Sequence, residues 1–125
     1  MFSRKAKCID LELDLGKLYL DIDRAIPCGL IINELVSNAF KHAFPDGKSG
    51  KIFVHLKNKL DNYTIEIKDN GIGLPAEFES GKNGTLGLQL VQDLVKQIEG
   101  TLETNRAEGT TFKVVFKEDF RPIAS

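Results

Sequence analysis

Residues 30–44 read L-I-I-N-E-L-V-S-N-A-F-K-H-A-F, and this stretch decides the fold. At the 100° per residue of an α-helix, its apolar side chains fall on one broad face. The members of that face are Ile31, Ile32, Leu35, Val36, Ala39, Phe40 and Ala43. Because such a face has to pack against another layer, the stretch predicts a long amphipathic helix at the centre of a domain.

The opposite side of this helix carries four chemically different polar groups. Glu34, Asn38, Lys41 and His42 fall at i, i+4, i+7 and i+8 and project along one narrow stripe, while Asn33 points elsewhere. Asparagine is an unusual choice for a solvated helix face because it lowers helix propensity there. The stripe is therefore either a plain polar outer face or part of a binding site, and the helix alone leaves both readings open.

Length and composition limit the classes of function. The chain has 125 residues and 42% hydrophobic content, which suits one domain with its own core, and its net charge is -1. A balanced charge gives no electrostatic case for binding nucleic acid or an anionic membrane, so any phosphate binding has to be local. The two cysteines, Cys8 and Cys28, indicate neither a zinc site nor a disulfide framework. Without a secretory signal or membrane span, a cytoplasmic domain is expected.

Alternating apolar and polar residues predict strands around the helix. One strand is expected over residues 9–15, with the alternation repeated at Leu18, Leu20 and Ile22. Residues 52–56 and 63–67 predict a hairpin around Asp61-Asn62, and residues 101–104 and 111–116 predict two closing strands. Residues 45–50 are turn residues, and Pro27 suits the first turn of the helix, where a missing N–H costs nothing.

A glycine-rich loop over residues 71–87 leads into a second amphipathic helix. Its predicted buried face consists of Leu86, Leu90, Val91, Leu94, Val95 and Ile98, with Gly100 as the C-terminal cap. Single helices between antiparallel strands favour a two-layer α/β sandwich over a doubly wound parallel sheet. We therefore expect one domain over residues 1–125, with its core over about 9–117. It should have a mixed, largely antiparallel sheet with helices on one face and a solvated second face.

Three glycine-containing stretches are candidates for phosphate or nucleotide contact. The first, Gly47-Lys48-Ser49, is not a P-loop, because His42 stands five positions before Gly47 and the order is helix, loop, strand. The second, D-N-G-I-G at 69–73, is either a hairpin turn or a place where backbone approaches a flat ligand and Asp69 accepts a hydrogen bond. The third, G-T-L-G-L at 84–88, is either a phosphate-binding helix start or a linker with Thr85 as N-cap.

Taken in order, these motifs resemble a known family. They are E-x-x-x-N-A-x-K-H at 34–42, D-x-G-x-G at 69–73, G-x-x-G-L at 84–88 and Gly109-Thr110 before the closing strand. Over residues 22–116 they resemble the ATP-binding fold shared by DNA gyrase, the HSP90 chaperones, MutL and the histidine kinases. Residues 30–44 and 85–100 are similar in particular to the catalytic domain of a sensor histidine kinase.

The resemblance implies roles for individual residues. Asn38 would hold the Mg²⁺ that bridges the phosphates of ATP, and Asp69 would accept from the exocyclic amine of adenine. Lys41 and His42 would meet phosphate and ribose. Glu34 shares the helix stripe with Asn38, so it is expected beside the γ-phosphate as the catalytic residue that orients or deprotonates the attacking group. Thr110 would lie near Asp69, Gly71 and Gly73 would shape the adenine pocket, and Gly84 and Gly87 would hinge a lid. The remaining implied nucleotide-binding residues, Lys82, Thr85, Leu86 and Leu88, belong to the same segment.

The sequence also departs from the family pattern. Most histidine kinases carry asparagine four residues before the Mg²⁺ ligand, where this chain has Glu34. Only about ten residues separate Gly73 from Gly84, so the usual F box is absent unless Phe78 replaces it. This pattern is similar to the short-lid subfamily related to HWE kinases, although the chain has no tryptophan and does not meet the strict HWE signature.

The resemblance implies a partner. Phosphoryl transfer needs an acceptor histidine, and the two histidines, His42 and His55, lie in the predicted nucleotide helix and in a strand. We therefore expect a monomeric catalytic domain of a longer chain, acting on an upstream histidine-bearing dimerisation domain and, indirectly, on a response regulator. No contact with nucleic acid or membrane is expected.

Glu34 keeps other classes of function open. In the ATP hydrolases of the same superfamily, a glutamate at this place activates water, and the serine kinases that act as anti-sigma factors share it. The latter would be about the length of this chain, whereas a clamp ATPase would need a lysine-bearing second domain. A third alternative is ligand sensing without catalysis.

Overall fold

A computed structural model describes residues 9–16, 19–44, 49–72 and 86–117. The elements in chain order are β1 (Ile9–Leu15), α1 (Ile22–His42), β2 (Gly50–Lys59), β3 (Asn62–Asp69), α2 (Leu86–Gln97), β4 (Thr101–Asn105) and β5 (Thr110–Lys117). The strands form one sheet in the order β1-β2-β3-β5-β4. β1 runs parallel to β2, and every other neighbouring pair is antiparallel. The predicted mixed, largely antiparallel sheet is confirmed.

The core lies between one face of this sheet and the two helices. α1 packs against α2 and against β2 and β3, and α2 also contacts β4. Inward residues of β3, of β5 and of the first half of β2 are buried and alternate with outward residues that are exposed or half-buried, as the sequence pattern predicts. After Val54 the inward residues of β2 are no longer buried. The fully buried strand residues include Ile52, Val54, Tyr63, Ile65, Ile67, Val114 and Phe116. Among the described elements, both helices cover the same face, so the predicted two-layer sandwich is confirmed.

The start of α1 differs from the prediction. The helix begins at Ile22 and not near Pro27, so the strand expected around Leu20 and Ile22 is wrong, and Leu18 lies outside the described residues. Asp21 is the N-cap, and its side chain accepts a hydrogen bond from the backbone N–H of Arg24 at 3.2 Å. Pro27 stands inside the helix and is buried. The cap and the packing of this first part of the helix override the alternating pattern.

Arg24 joins the beginning of α1 to the end of β5. Its side chain is buried, and its Nη1 donates a hydrogen bond to the backbone carbonyl of Lys117. Its guanidinium carbon lies 5.5 Å from the ring centroid of Phe116 and 6.0 Å from that of Tyr63. A cation stacked on buried rings is stabilised by their quadrupoles. Sequence reasoning did not anticipate this buried arginine, because charged residues are normally found at the surface.

The hairpin and the second helix show smaller differences. β2 and β3 are joined by Leu60 and Asp61, one residue earlier than predicted, and Leu60 has a φ of 57°. In α2, Leu90 is 37% exposed, whereas the prediction had placed it in the core, and Leu88 is buried. The left-handed residue after α2 is Glu99, with a φ of 57°, and Gly100 follows it and donates to the carbonyl of Val95. This is a Schellman ending, so Gly100 takes part in the cap without being its left-handed residue.

Two further observations concern the thiols and the helices. Cys28 is a free cysteine, and burial raises the pKa of its thiol to about 11, while Cys8 lies outside the described residues. A thiol with this pKa stays protonated at neutral pH and is a poor nucleophile. Neither described helix has the length and apolar character that crossing a membrane requires.

Candidate functional site

The carboxylate of Asp69 organises one end of the sheet. Asp69 is the last residue of β3, is 3% exposed and points toward the helix layer. Its Oδ1 accepts hydrogen bonds from the backbone N–H of Gly71 at 2.9 Å and of Thr110 at 3.3 Å. Thr110 is 1% exposed and pairs with Asp69 in the register of β3 and β5. The structure therefore brings together Asp69, Gly71 and Thr110, three residues that the family resemblance placed near one another.

The buried position of Asp69 disfavours the ionised form of its carboxyl group, compared with a carboxyl group in water. Burial raises the pKa of its carboxyl above the ordinary value of 3.8, and the hydrogen bonds from Gly71 and Thr110 oppose that rise. A buried carboxylate that is not neutralised by a cation weakens the fold unless its oxygens find donors. A perturbed acid at the end of a strand is a candidate for a functional group.

Gly71 brings the segment after β3 onto the end of α1. A Cβ at position 71 would lie 2.1 Å from the carbonyl oxygen of Ala43, and the backbone N–H of Ile72 donates to that same oxygen at 3.0 Å. The Asn-Gly pair does not form a hairpin, because β3 pairs with β2 and β5 and the chain turns to the helix. The contact with Ala43 accounts for the glycine without a ligand, so the expected approach of Gly71 to adenine stays a prediction.

Two residues near Asp69 were not among the predicted site residues. Gly109 has a φ of 78°, and a Cβ there would lie 2.1 Å from the backbone oxygen of Asp69 and 3.1 Å from its Oδ1. Asn70 pairs with Lys51 through both its backbone N–H and its side-chain Oδ1, at 3.2 and 2.8 Å. In the sequence, Gly109 is recognisable only as a glycine directly before a predicted strand. An ordinary loop glycine would look the same, so the sequence does not reveal the contact with Asp69.

The polar stripe of α1 is not uniformly solvated. Asn38 is 5% exposed and belongs to the buried side of the helix, contrary to an outer polar face, and its Nδ2 has no hydrogen-bond partner among the described residues. Glu34 and His42 are half-buried, and Lys41 is exposed. Phe40, predicted in the core, is 46% exposed. A buried amide without a partner is costly, and a bound ligand or water can satisfy it.

The third motif is described only in part. Gly73, Lys82, Gly84 and Thr85 lie outside the described residues. The backbone of Leu86 and Gly87 belongs to the first turn of α2, where N–H groups lack partners within the helix. Leu88 is 3% exposed and packs in the core, so its side chain serves the fold. Nucleotide binding by these residues remains a prediction.

Together these elements form a corner with a defined chemistry. The contact between Ile72 and Ala43 places the Asp69 pocket beside the last turn of α1, which carries Lys41 and His42. Asn38 lies one helical turn before His42, and Glu34 lies one turn earlier again. The end of β3 therefore lies beside a helix end that carries an exposed lysine, a half-buried histidine and, one turn earlier, a buried carboxamide, and the donors of these groups suit a ligand with anionic groups.

Comparison with known proteins gives one matching family model and several similar proteins. The family model described as histidine kinase-, DNA gyrase B-, and HSP90-like ATPase matches residues 24–119. The sensor histidine kinase PdtaS of Mycobacterium tuberculosis is 36% identical over 106 residues, which cover 83% of this chain and 21% of PdtaS. Blue-light-activated histidine kinase 2 of Erythrobacter litoralis is 30% identical over 101 residues, which cover 78% of this chain and 29% of that protein. The chain thus spans between a fifth and a third of the length of these relatives.

A solved structure shows the same fold. The histidine kinase domain of the blue-light-activated histidine kinase EL346 from Erythrobacter litoralis superposes with a TM-score of 0.82 at 24% identity. The match covers 88% of this chain and 52% of that one. The similarity therefore extends through the sheet and both helices.

We expect Gly109→Ala to lower the free energy of unfolding by roughly 2 to 4 kcal/mol, because alanine is strained at positive φ and its Cβ would collide with Asp69. Gly29 is the matched control, since a Cβ there meets nothing within 4 Å. Gly29→Ala should raise the stability of α1 by about 0.5 to 1 kcal/mol. Urea unfolding measures both. Equal effects of the two substitutions would show that the contact between Gly109 and Asp69 is unimportant.

We expect the stability of Asp69→Asn, relative to that of the wild type, to be higher at about pH 7 than at about pH 3.5. Because the folded pKa of Asp69 lies above that of the unfolded chain, wild-type stability should fall as pH rises through the raised pKa. Asparagine keeps an acceptor for both N–H groups but has no charge. Asp14→Asn, at an exposed position, is the control. A difference between variant and wild type that does not change with pH would contradict the burial of charge at Asp69.

Proposed function

The chain belongs to the family of histidine kinase-, DNA gyrase B-, and HSP90-like ATPases. On that premise we propose that it binds Mg²⁺-ATP and donates the γ-phosphoryl group to a histidine on a separate dimerisation domain. The relatives named above are sensor histidine kinases, and the chain matches only a part of each. Such a catalytic domain works in two-component signalling in the cytoplasm, with a response regulator as the later acceptor.

The observation that carries the proposal is the buried carboxylate of Asp69. Its Oδ1 is held by two backbone donors, which fixes the direction of the carboxyl group. A buried carboxylate can accept a hydrogen bond from the exocyclic amine of adenine, but it would face the carbonyl oxygen of guanine. Leaving such an acceptor without a donor costs about 1 to 3 kcal/mol, and more for a charge. Asp69 would therefore select adenine.

Asn38 fits the role of a ligand to Mg²⁺. Its side chain is buried, and a side-chain amide oxygen is a suitable hard ligand for this cation. Its Nδ2, which has no hydrogen-bond partner among the described residues, would donate to a phosphate oxygen beside the cation. The described residues contain no group of three histidine, cysteine or acidic side chains that could hold a metal by themselves. We propose that Asn38 would hold the cation together with phosphate oxygens of the nucleotide. When bound, it neutralises charge on the phosphates.

The remaining residues of the site would orient the triphosphate. Lys41 and His42 stand in the last turn of α1 and would contact phosphate and ribose, with Thr110 supporting the adenine pocket. Gly84 and Gly87 would hinge a lid over the phosphates. The other nucleotide contacts in this proposal are Gly71, Gly73, Lys82, Thr85, Leu86 and Leu88.

Glu34 would assist the transfer itself. It shares its helix side with Asn38, one turn away, and is half-buried. A carboxylate near phosphates weakens binding by repulsion, so its presence suits a kinetic role, which is to orient or deprotonate the attacking imidazole. Two alternatives to histidine phosphorylation differ in the attacking group. Water as the attacking group would give ATP hydrolysis, and a serine would give serine kinase activity.

The histidine acceptor would come from outside this chain. His55 lies on the outer face of the sheet, where its Nδ1 is 3.7 Å from the Oε1 of Glu66. Asp69 lies on the opposite face. His42 belongs to the proposed nucleotide site. We therefore infer that an upstream segment supplies the acceptor and that this domain itself is monomeric. A histidine-bearing helical hairpin encoded upstream of Met1 would support this arrangement.

We expect Mg²⁺ to increase the affinity of the wild-type chain for ATP at least about tenfold in calorimetric titrations with and without chelator. Asn38→Ala should abolish this increase, because the remaining oxygen ligands are water and phosphate. Asn33→Ala is the matched control, since Asn33 stands on the same helix and is exposed. Wild-type affinity for ATP that is the same with and without Mg²⁺ would rule out Asn38 as a metal ligand.

We expect Glu34→Gln to slow phosphoryl transfer to the acceptor histidine by roughly 10²- to 10⁴-fold, with ATP affinity equal to that of the wild type or slightly higher, because a repulsive charge is removed. Glutamine keeps the size of the side chain and removes the base. Transfer is measured with radiolabelled ATP in the longer kinase that contains this chain, and Glu12→Gln on β1 is the control. Transfer by Glu34→Gln within a few-fold of the wild type would assign the base to another residue.

A further inference from the structure

The outer face of the sheet is positively charged, although the chain as a whole is not. Lys51, Lys57, Lys59, Lys68, Lys113 and Lys117 stand at outward positions of β2, β3 and β5, and all six are exposed. We call these six residues the lysine face. Glu66 is the one carboxylate at the outward positions of these three strands. With His55 neutral, this region carries a charge of +5 in a chain whose net charge is -1.

The acidic residues of the sheet border this region. Asp10, Glu12 and Asp14 point outward from the edge strand β1, and Glu103 points outward from β4 on the other side. The positive charge is therefore confined to three strands, and the distance from β2 to β5 is about 10 Å at the usual strand spacing. That distance is about the diameter of one α-helix.

The surface between these lysines is shaped as well as charged. Three depressions, of about 240, 400 and 190 Å³, meet at Glu66. The first is lined by Phe53 and His55, whose rings lie edge to face with centroids 6.3 Å apart. The second and third border Lys113, and the third also borders Lys57. A docked segment can place side chains in these depressions while its charges meet the lysines.

We propose that the lysine face docks an acidic α-helical segment of a partner protein. A helix with carboxylates at i, i+4 and i+7 presents them in one row, which matches a basic strip of this width. An anionic membrane is a poorer fit, because a plane wider than three strands also meets the carboxylates of β1 and Glu103. A second copy of the described part of this chain is excluded as the helix donor. α1 contains two acidic and two basic residues, and α2 contains one of each.

The proposed docking surface is independent of the nucleotide site. Lys68 and Asp69 are neighbours on β3, and successive residues of a strand point to opposite faces of the sheet. The partner would therefore approach from the solvated side, while nucleotide binds between the sheet and α1. Complementary charge of this kind mainly raises the association rate and selects the partner, so the contact should weaken strongly with added salt.

The test uses a labelled synthetic helix with glutamate at i, i+4 and i+7 on an alanine background, and a matched peptide with glutamine in those places. Fluorescence anisotropy at low and high salt measures binding to the 125-residue chain. We expect binding of the glutamate peptide alone, lost at high salt. Lys113→Glu should weaken it about three- to tenfold. Lys96→Glu on α2, which makes the same change in net charge away from the lysine face, should alter it less than about twofold.

A triple variant with Lys57→Glu, Lys68→Glu and Lys113→Glu should show no binding while keeping the affinity for ATP of the wild type. Circular dichroism checks its fold, and if it does not fold, the comparison of Lys113→Glu with Lys96→Glu decides. Equal weakening by those two single substitutions would show a general charge effect and overturn the proposal. Tighter binding to phosphatidylserine vesicles than to the glutamate peptide would assign the lysine face to a membrane and would also overturn it.

Discussion

The buried carboxylate of Asp69 is the constraint on which the corner of this domain depends. Its Oδ1 takes one backbone donor from the segment after β3 and one from the first residue of β5. Both neighbouring glycines follow from this arrangement, because Gly109 lies against Asp69 and Gly71 lies against Ala43 with no room for a Cβ. The Oδ1 of Asp69 thus joins the end of β3 to the beginning of β5. The backbone N–H of Ile72, the residue after Gly71, joins the same region to the end of α1 through its hydrogen bond to Ala43.

Because side chains alternate between the two faces of each strand, the two faces of the sheet can have different functions. On β3 the odd residues from Tyr63 to Asp69 are buried against the helices, whereas Glu66 and Lys68 point to solvent. Burial on one face supplies the hydrophobic free energy of the fold and a dry place for Asp69. The other face needs no packing partner, so it is free to carry the lysines. Our proposed nucleotide site and proposed docking surface therefore share one scaffold without sharing a residue.

Much of the fold could be predicted because its elements obey simple periods. Alternation located β1, β2, β3, β4 and β5, and the apolar face over residues 30–44 located most of α1. The prediction failed at residues 20 to 22, where Leu20 and Ile22 continue the strand pattern but Asp21 caps a helix. Periodicity in a short segment cannot tell which of the two will form, because the cap and the contacts of Arg24 with β5 decide it.

The candidate site could be predicted from its residue types but not in its geometry. Asp69 and Thr110 are 41 residues apart, and only the pairing of β3 with β5 brings them together. Asn38 was assigned to a polar stripe from helix angles alone, whereas the packing of α1 buries it. Gly109 was noted only as part of a motif, because its positive φ and its contact with Asp69 depend on tertiary structure. Long-range contacts of this kind leave little trace in a single sequence.

The most direct measurement for the central claim, that Asp69 reads adenine in a nucleotide site, compares ATP with GTP in calorimetric titrations of the wild-type chain and of Asp69→Asn. Asparagine keeps the shape and can still accept from Gly71 and Thr110, but it presents an amide donor where the carboxylate accepts. We expect the wild type to prefer ATP at least about tenfold and Asp69→Asn to lose this preference. An unchanged preference in the variant, or no binding of either nucleotide by the folded wild type, would contradict it.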